Sequence, residues 1–254
     1  MTDGWIYPDW PAPQNVHAVV TTRADTDQKN TLNESAYRGF NLALHVGDNE
    51  ESVLKNRNVL AHKIGLATKN LYWLNQVHGQ KIITFPDIAC DTHTADGCQT
   101  KGHDLACIVM TADCLPVLLC SHDGAQVAAI HAGWKGLSEG ILLKAIEGFQ
   151  QPEKVIVWLG PAISQKHFEV GEEVRQAFIS SYPAAKSAFI PSKKNTKWMA
   201  DLYALARIQL NSLGVNAIYG GNFCTYSEKH RFYSYRRDGV SSGRMASLIY
   251  ISSS

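Results

Sequence analysis

The chain of 254 residues has almost no net charge: Lys and Arg number 24 against 23 Asp and Glu, a formal balance of +1. It therefore lacks the broad basic or acidic field of a nucleic-acid or acidic-surface binder. Long apolar runs are missing, and none approaches the ~18–20 residues of a membrane span. No basic segment followed by an apolar stretch opens the chain at Met1-Thr2-Asp3-Gly4-Trp5, so no export signal is read there. The six cysteines form no C-x-x-C pair. Without that pair and without an export signal, they are expected to be reduced thiols in a cytoplasmic protein, most of them small buried hydrophobes.

Several catalytic templates are absent as well. There is no G-x-x-x-x-G-K-[ST] phosphate loop, no G-x-S-x-G elbow and no H-E-x-x-H. The zinc nucleobase deaminase pattern, H-x-E with P-C-x-x-C, is missing. No two of the ten histidines stand two apart, so the H-x-H pairs of multicopper oxidases are absent too.

What is present is an ordinary globular composition, 45% hydrophobic and 19% charged, with no repeat. Residues 24–36 and 192–197 read as exposed polar loops rather than linkers, so residues 1–254 are expected to form one domain. Short apolar runs at 105–110, 115–120, 127–130, 155–159 and 247–251 predict buried strands. Apolar spacing over 137–149 predicts a helix, as do residues 172–180 and a polar stretch over 51–63. Asp201 is a plausible N-cap for a helix through Leu213 that Gly214 closes. Strands and helices mix without strict alternation, which favours an α+β fold.

Cys114 follows Asp113 in the polar break between two of these strands, and His131 ends the next. His78 sits in Asn75-Gln76-Val77-His78-Gly79. One thiolate and two imidazoles make a donor set for zinc or copper with a fourth position open. The spacings match no compact zinc motif, so at this point they favour a buried structural thiol among packing histidines over a metal site.

The motifs themselves say more. Phe40-Asn41-Leu42-Ala43-Leu44-His45-Val46-Gly47-Asp48, Asn56-Arg57, Thr111-Ala112-Asp113-Cys114 and His131-Ala132-Gly133-Trp134 follow one another in order. Trp158-Leu159-Gly160-Pro161, Phe168-Glu169-Val170-Gly171, Cys224-Thr225-Tyr226, Tyr233-Ser234-Tyr235-Arg236-Arg237-Asp238 and Gly243-Arg244-Met245 come after them. In this series the chain resembles the bacterial YfiH proteins of the laccase-domain (polyphenol oxidase, purine nucleoside phosphorylase) family over nearly its whole length. One departure is visible: the family's early T-R-x-G-G reads Thr22-Arg23-Ala24-Asp25-Thr26 here, which puts any role for Arg23 in doubt.

The resemblance implies a single-domain α/β sandwich of the type shared with cytotoxic-necrotizing-factor-like deamidases. It implies a metal site of His78, Cys114 and His131, with Zn as the cofactor or Cu as the alternative. Arg57 is implied near substrate or phosphate, and Asn41, His45, Asp48 and Gln76 beside the same cleft. For deamination at such a metal, Asp113 or His45 is the candidate proton carrier, though Asp113 in a turn can equally be a cap or a support for the metal ligands.

The implied activity is purine nucleoside phosphorylase on adenosine, inosine and methylthioadenosine, with adenosine deamination. The partners would be a small nucleoside and phosphate, with no nucleic acid and no membrane. Copper-dependent phenol oxidation is one alternative, with Met110 or Met245 as a weak further ligand. A metal-free Cys–His hydrolase acting in peptidoglycan editing is another, and a non-catalytic binding protein is a third.

Overall fold

The computed structural model describes residues 4–23, 37–86 and 93–253. Two sheets stack face to face between helices. The larger runs in the order β12 (Ala217–Gly220), β8 (Val155–Leu159), β6 (Leu115–Ser121), β7 (Val127–Ala132), β4 (Gly97–Thr100) and β3 (Ile82–Phe85). Its two outer pairs are parallel and its inner pairs antiparallel. The smaller sheet is β1 (Val16–Val20), β13 (Met245–Ile251), β5 (Ala106–Thr111) and β2 (Leu71–Tyr72). A further antiparallel sheet joins β10 (Phe189–Pro191), β11 (Lys197–Ala200) and β9 (Glu169–Gly171).

Strand β6 shows why the central runs are continuously apolar. Successive side chains point to opposite faces. Val117 and Leu119 pack toward α3 (Ile141–Glu147) and α5 (Leu202–Ser212), while Leu118 and Cys120 pack toward the smaller sheet. Both faces are dry, so no polar alternation survives. The outer face of the smaller sheet is covered by α1 (Glu50–Lys63), whose Leu60 and Ala61 meet Ile108 and Leu248. Asn49 caps α1 by accepting a hydrogen bond from the Ser52 N–H. α4 (Glu172–Ile179) buries Val174 and Phe178 in the core on the helical side of the larger sheet.

The α+β expectation holds, and three details differ from the sequence reading. The apolar pattern at 137–149 is two helices, α2 (Trp134–Ser138) and α3, because Gly140 takes a left-handed φ of +94° between them. Strand β7 runs past the apolar run to Ala132, which places His131 inside the sheet. Lys197, read as loop, opens β11. The Asp201 cap is as expected, accepting from the Ala204 N–H. The loop read at 24–36 and the thiol of Cys90 lie outside the described residues. No helix among the described residues is long and apolar enough to cross a membrane.

Candidate active site

Strand register assembles the site. Between β6 and β7, Pro116 stands opposite His131 and Leu115 opposite Ala132. Cys114, two residues before Pro116, therefore shares its face and lies diagonally beside His131. Between β4 and β7, Gly97 pairs with Ile130, so Asp96 meets His131 on the other flank. The His131 N–H donates to the Asp96 carbonyl at 2.7 Å. Its Nδ1 lies 2.8 Å from Asp96 Oδ1.

His78 arrives on a loop. The Asp96 carboxylate accepts from the N–H groups of Val77 (3.2 Å), His78 (2.9 Å) and Gly79 (2.7 Å). Three successive amides wrapped around one anion form a nest, and His78 takes a left-handed φ of +59° within it. Gln76 holds the base of this loop by exchanging two hydrogen bonds with the Met110 backbone, at 2.9 and 2.8 Å. Asp96, fully buried, is the residue that sequence reasoning missed. Its only signal was an acid between the apolar residues Ala95 and Cys98.

The ligand atoms of His78, Cys114 and His131 all lie within 4.8 Å of one another. The two imidazoles meet edge to face, with centroids 4.8 Å apart. With Nδ1 of His131 engaged by Asp96, Nε2 is left for the cluster. Gly133 closes the cradle: a Cβ there would sit 3.2 Å from both Cys114 Sγ and His78 Cδ2. This donor set, one thiolate and two imidazoles held by an outer carboxylate, fits zinc or copper.

The thiol is primed in either case. Burial pushes the Cys114 pKa up, but the charges and hydrogen bonds of His131 and His78 outweigh it and bring it down to about 6. Burial works against the charged His131 as well, yet the Cys114 thiolate and Asp96 raise it to about 9. Burial likewise raises Asp96, and the hydrogen bonds from His131, Gly79 and Val77 more than offset it, leaving the carboxyl below its usual range.

These ligands line a cavity of about 480 Å³, within the range of small-molecule sites. Met110, Ile163, Phe168, Trp134 and Tyr235 give it an apolar wall, and Arg236 and Arg244 a cationic one. His45 and Gln76 also line it. Burial, then the charges of Arg244 and Arg57, lower the pKa of His45, which keeps its imidazole neutral.

Asp113 lines the cavity with a left-handed φ of +94°. Its carboxylate accepts from Thr225 Oγ1 (2.6 Å), Ser234 Oγ (3.0 Å) and the Arg236 N–H (2.6 Å). It thus ties two later loops to the Cys114 turn.

Asn41, Asp48 and Arg57 stand behind the cavity wall rather than in it. Asn41 is fully buried; it donates to Asp48 and accepts from the Arg244 N–H, both at 2.9 Å. Arg57 donates to the Leu42 carbonyl at 2.9 Å, and its guanidinium covers the Trp73 ring at 3.9 Å. Arg23, in doubt from the altered T-R motif, donates to the Arg38 carbonyl and lies 3.8 Å from Asp238.

The family model described as multi-copper polyphenol oxidoreductase laccase matches residues 17–252. The chain belongs to this family. A purine nucleoside phosphorylase of Pseudomonas aeruginosa is 42% identical, over 98% of this chain and 99% of that protein. The Escherichia coli purine nucleoside phosphorylase YfiH is also 42% identical, over 97% of this chain and 98% of its own. Among solved structures, a Neisseria meningitidis protein superposes with a TM-score of 0.90 at 43% identity, covering 98% of this chain and 99% of that one. YlmD of Geobacillus stearothermophilus gives 0.88 at 27% identity, over 99% and 97%.

Proposed function

We propose that this family member is a purine nucleoside phosphorylase. The observation that carries the reading is the cavity: a thiolate–imidazole donor set beside an apolar wall and a cationic wall, in a chain 42% identical to relatives bearing that name. Phosphorolysis forms a bond from a phosphate oxygen to C1′ of the ribose and breaks the C1′–N9 bond. The electron pair leaves with the purine, which takes up a proton. A flat purine suits the wall of Trp134, Phe168 and Tyr235. The anionic co-substrate suits the arginine wall.

A metal ion held by His78, Cys114 and His131 would supply a Lewis acid beside the sugar or a bound water. Asp96 orients His131 for that task and fixes the His78 loop. The neutral His45 imidazole can relay a solvent proton to the purine, taking it up at one ring nitrogen as it gives one from the other. The Asp113 carboxylate is engaged by three donors and serves better as an anchor. Use of adenosine, inosine and methylthioadenosine, and deamination of adenosine, belong to the same proposal. Deamination would use water as the nucleophile at purine C6 in place of phosphate at C1′, breaking the C6–N6 bond and releasing ammonia.

The test is product analysis with zinc-loaded protein, inosine and adenosine, with and without phosphate. Phosphate-dependent release of hypoxanthine and adenine is expected. Zinc-loaded protein that leaves both nucleosides intact at high enzyme concentration sinks the proposal. Phenol oxidation by copper-loaded protein without phosphorolysis would favour the oxidase instead. Among the described residues His78, Cys114 and His131 form a single donor group, where multi-copper chemistry needs several.

The succession Asp96–His131–Cys114 also favours a second reading, thiol hydrolysis with Cys114 as nucleophile. That reading requires activity in metal-stripped protein, toward amide substrates such as those of peptidoglycan editing, and loss of it in Cys114→Ala.

A further inference from the structure

We infer that Arg244, rather than Arg57, seats the oxyanion that reacts in the cavity. The inference rests on the phosphorolysis reading only for naming that oxyanion as inorganic phosphate. The arginines near the site differ in what already engages them. Arg23 and Arg237 have Asp238 as a carboxylate partner. Arg57 is spent on the Leu42 carbonyl and the Trp73 ring and does not line the cavity. Arg236 lines it but is exposed, its Nη1 turned to the carbonyls of His167 and Glu169 at 3.3 and 3.2 Å. A charge so exposed is screened by salt.

Arg244 lines the cavity, is only partly exposed, and has no carboxylate partner among the described residues. Its Nη1 is fixed by the carbonyls of Ser242 and Gly243. Its Nε and Nη2 have no hydrogen-bond partner among the described residues. Those two nitrogens form one edge of the planar fork, the edge that matches two oxygens of a phosphate. Fixing Nη1 leaves that edge committed to one direction.

The surrounding motif residues serve this arginine. Asn41, fully buried, accepts from the Arg244 backbone N–H at 2.9 Å. Asn41 is itself held by Asp48 and by the Ala43 backbone. Asn56 donates to the Asn41 carbonyl at 2.9 Å. His45, on the same segment, feels the Arg244 charge and stands neutral beside it, able to donate one further hydrogen bond to an anion. Thus Asn41, Asp48, Asn56 and Arg57 position the anion site, and Arg244 is the side chain that touches the anion.

The experiment compares wild type, Arg244→Gln and Arg244→Lys, each zinc-loaded and each checked for an unchanged melting profile without phosphate. In phosphorolysis, Arg244→Gln should raise KM for phosphate roughly tenfold or more, with KM for inosine changed by less than about threefold. Arg244→Lys, which keeps the charge and loses the fork, should fall between. Calorimetric titration with inorganic phosphate in the absence of nucleoside should show the same weakening. Unchanged phosphate KM and affinity in Arg244→Gln overturn the inference, as does a wild type that binds no phosphate. An equal loss in both KM values marks a structural role and overturns it too. Arg244-dependent phosphate binding in a protein that splits no nucleoside upholds the anion site while the phosphorylase reading fails. Phosphorolysis with a phosphate KM insensitive to Arg244 does the reverse.

Discussion

Asp96 does more for the site than any residue singled out from the sequence. One buried carboxylate accepts from three successive backbone amides and from His131, so it shapes the His78 loop and fixes the imidazole at once. Replacing it by Asn keeps the size, removes the charge and turns one acceptor oxygen into a donor facing those N–H groups. Outer-carboxylate losses of this kind cost roughly 10–100-fold in metal affinity, and Asp96→Asn should show that loss in a chelator competition. The folded carboxyl sits below its ordinary range. Its stabilisation is therefore full above the unfolded value of about 3.9 and fades as pH falls through the lower folded one.

The Cys114 thiol makes a second prediction at this scale. In metal-stripped protein its absorbance near 240 nm should titrate with a midpoint of about 6, from a reference of 9.0. The sign follows from the main partner: the charged His131 imidazole favours the thiolate. His131→Gln should therefore move the midpoint upward. A wild-type midpoint near the reference value would contradict the geometry. Cys114 and His131 were legible because both sit at the ends of apolar runs. Asp96 was not, because what it meets is fixed by the β4/β7 register, and spacing along the chain does not reveal register.

At the scale of elements, α2 presses the His78 loop against the sheet through two glycines with different duties. A Cβ on Gly136 would lie 2.4 Å from the Gly79 carbonyl oxygen, a backbone atom that cannot step aside. A Cβ on Gly133 would meet the side chains of Cys114 and His78 at 3.2 Å, which can yield. Gly136→Ala should destabilise the fold by about 1–3 kcal/mol or more, the usual range for overpacking. Gly133→Ala should melt near wild type yet bind metal weakly. Melting and zinc titration of the two variants check this, and equal effects on both properties would refute the division. The helix itself was only partly legible. Leu137, Ile141, Leu142, Ala145 and Ile146 keep one apolar face through the break, so periodicity could not show that Gly140 turns left-handed between two short helices. The apolar strands read correctly because burial on both faces leaves a signal that needs no knowledge of the partner strand.

Across the whole molecule, the site is a staple between parts that fold far apart in sequence. His78 lies on a loop tied to Met110 of the smaller sheet through Gln76. Cys114 stands at the entry to β6 and His131 lies in the adjacent β7 of the larger sheet. A metal bound by all three would hold the two sheets together at one end of their central strands, and the unfolded chain cannot offer the same set at one point. Such a ligand stabilises by mass action, about 2.7 kcal/mol when free metal stands at 100 times its Kd. At roughly 2–4 °C per kcal/mol for a chain of this size, chelation should lower the melting temperature by ~5–11 °C. Cys114→Ser should melt near the chelated wild type and respond little to added chelator, because it has lost the softest donor rather than a piece of the core. A wild type indifferent to chelator would mean that the three donors hold no metal. The thiol reading, with Asp96 and His131 behind Cys114, would then account for the same geometry.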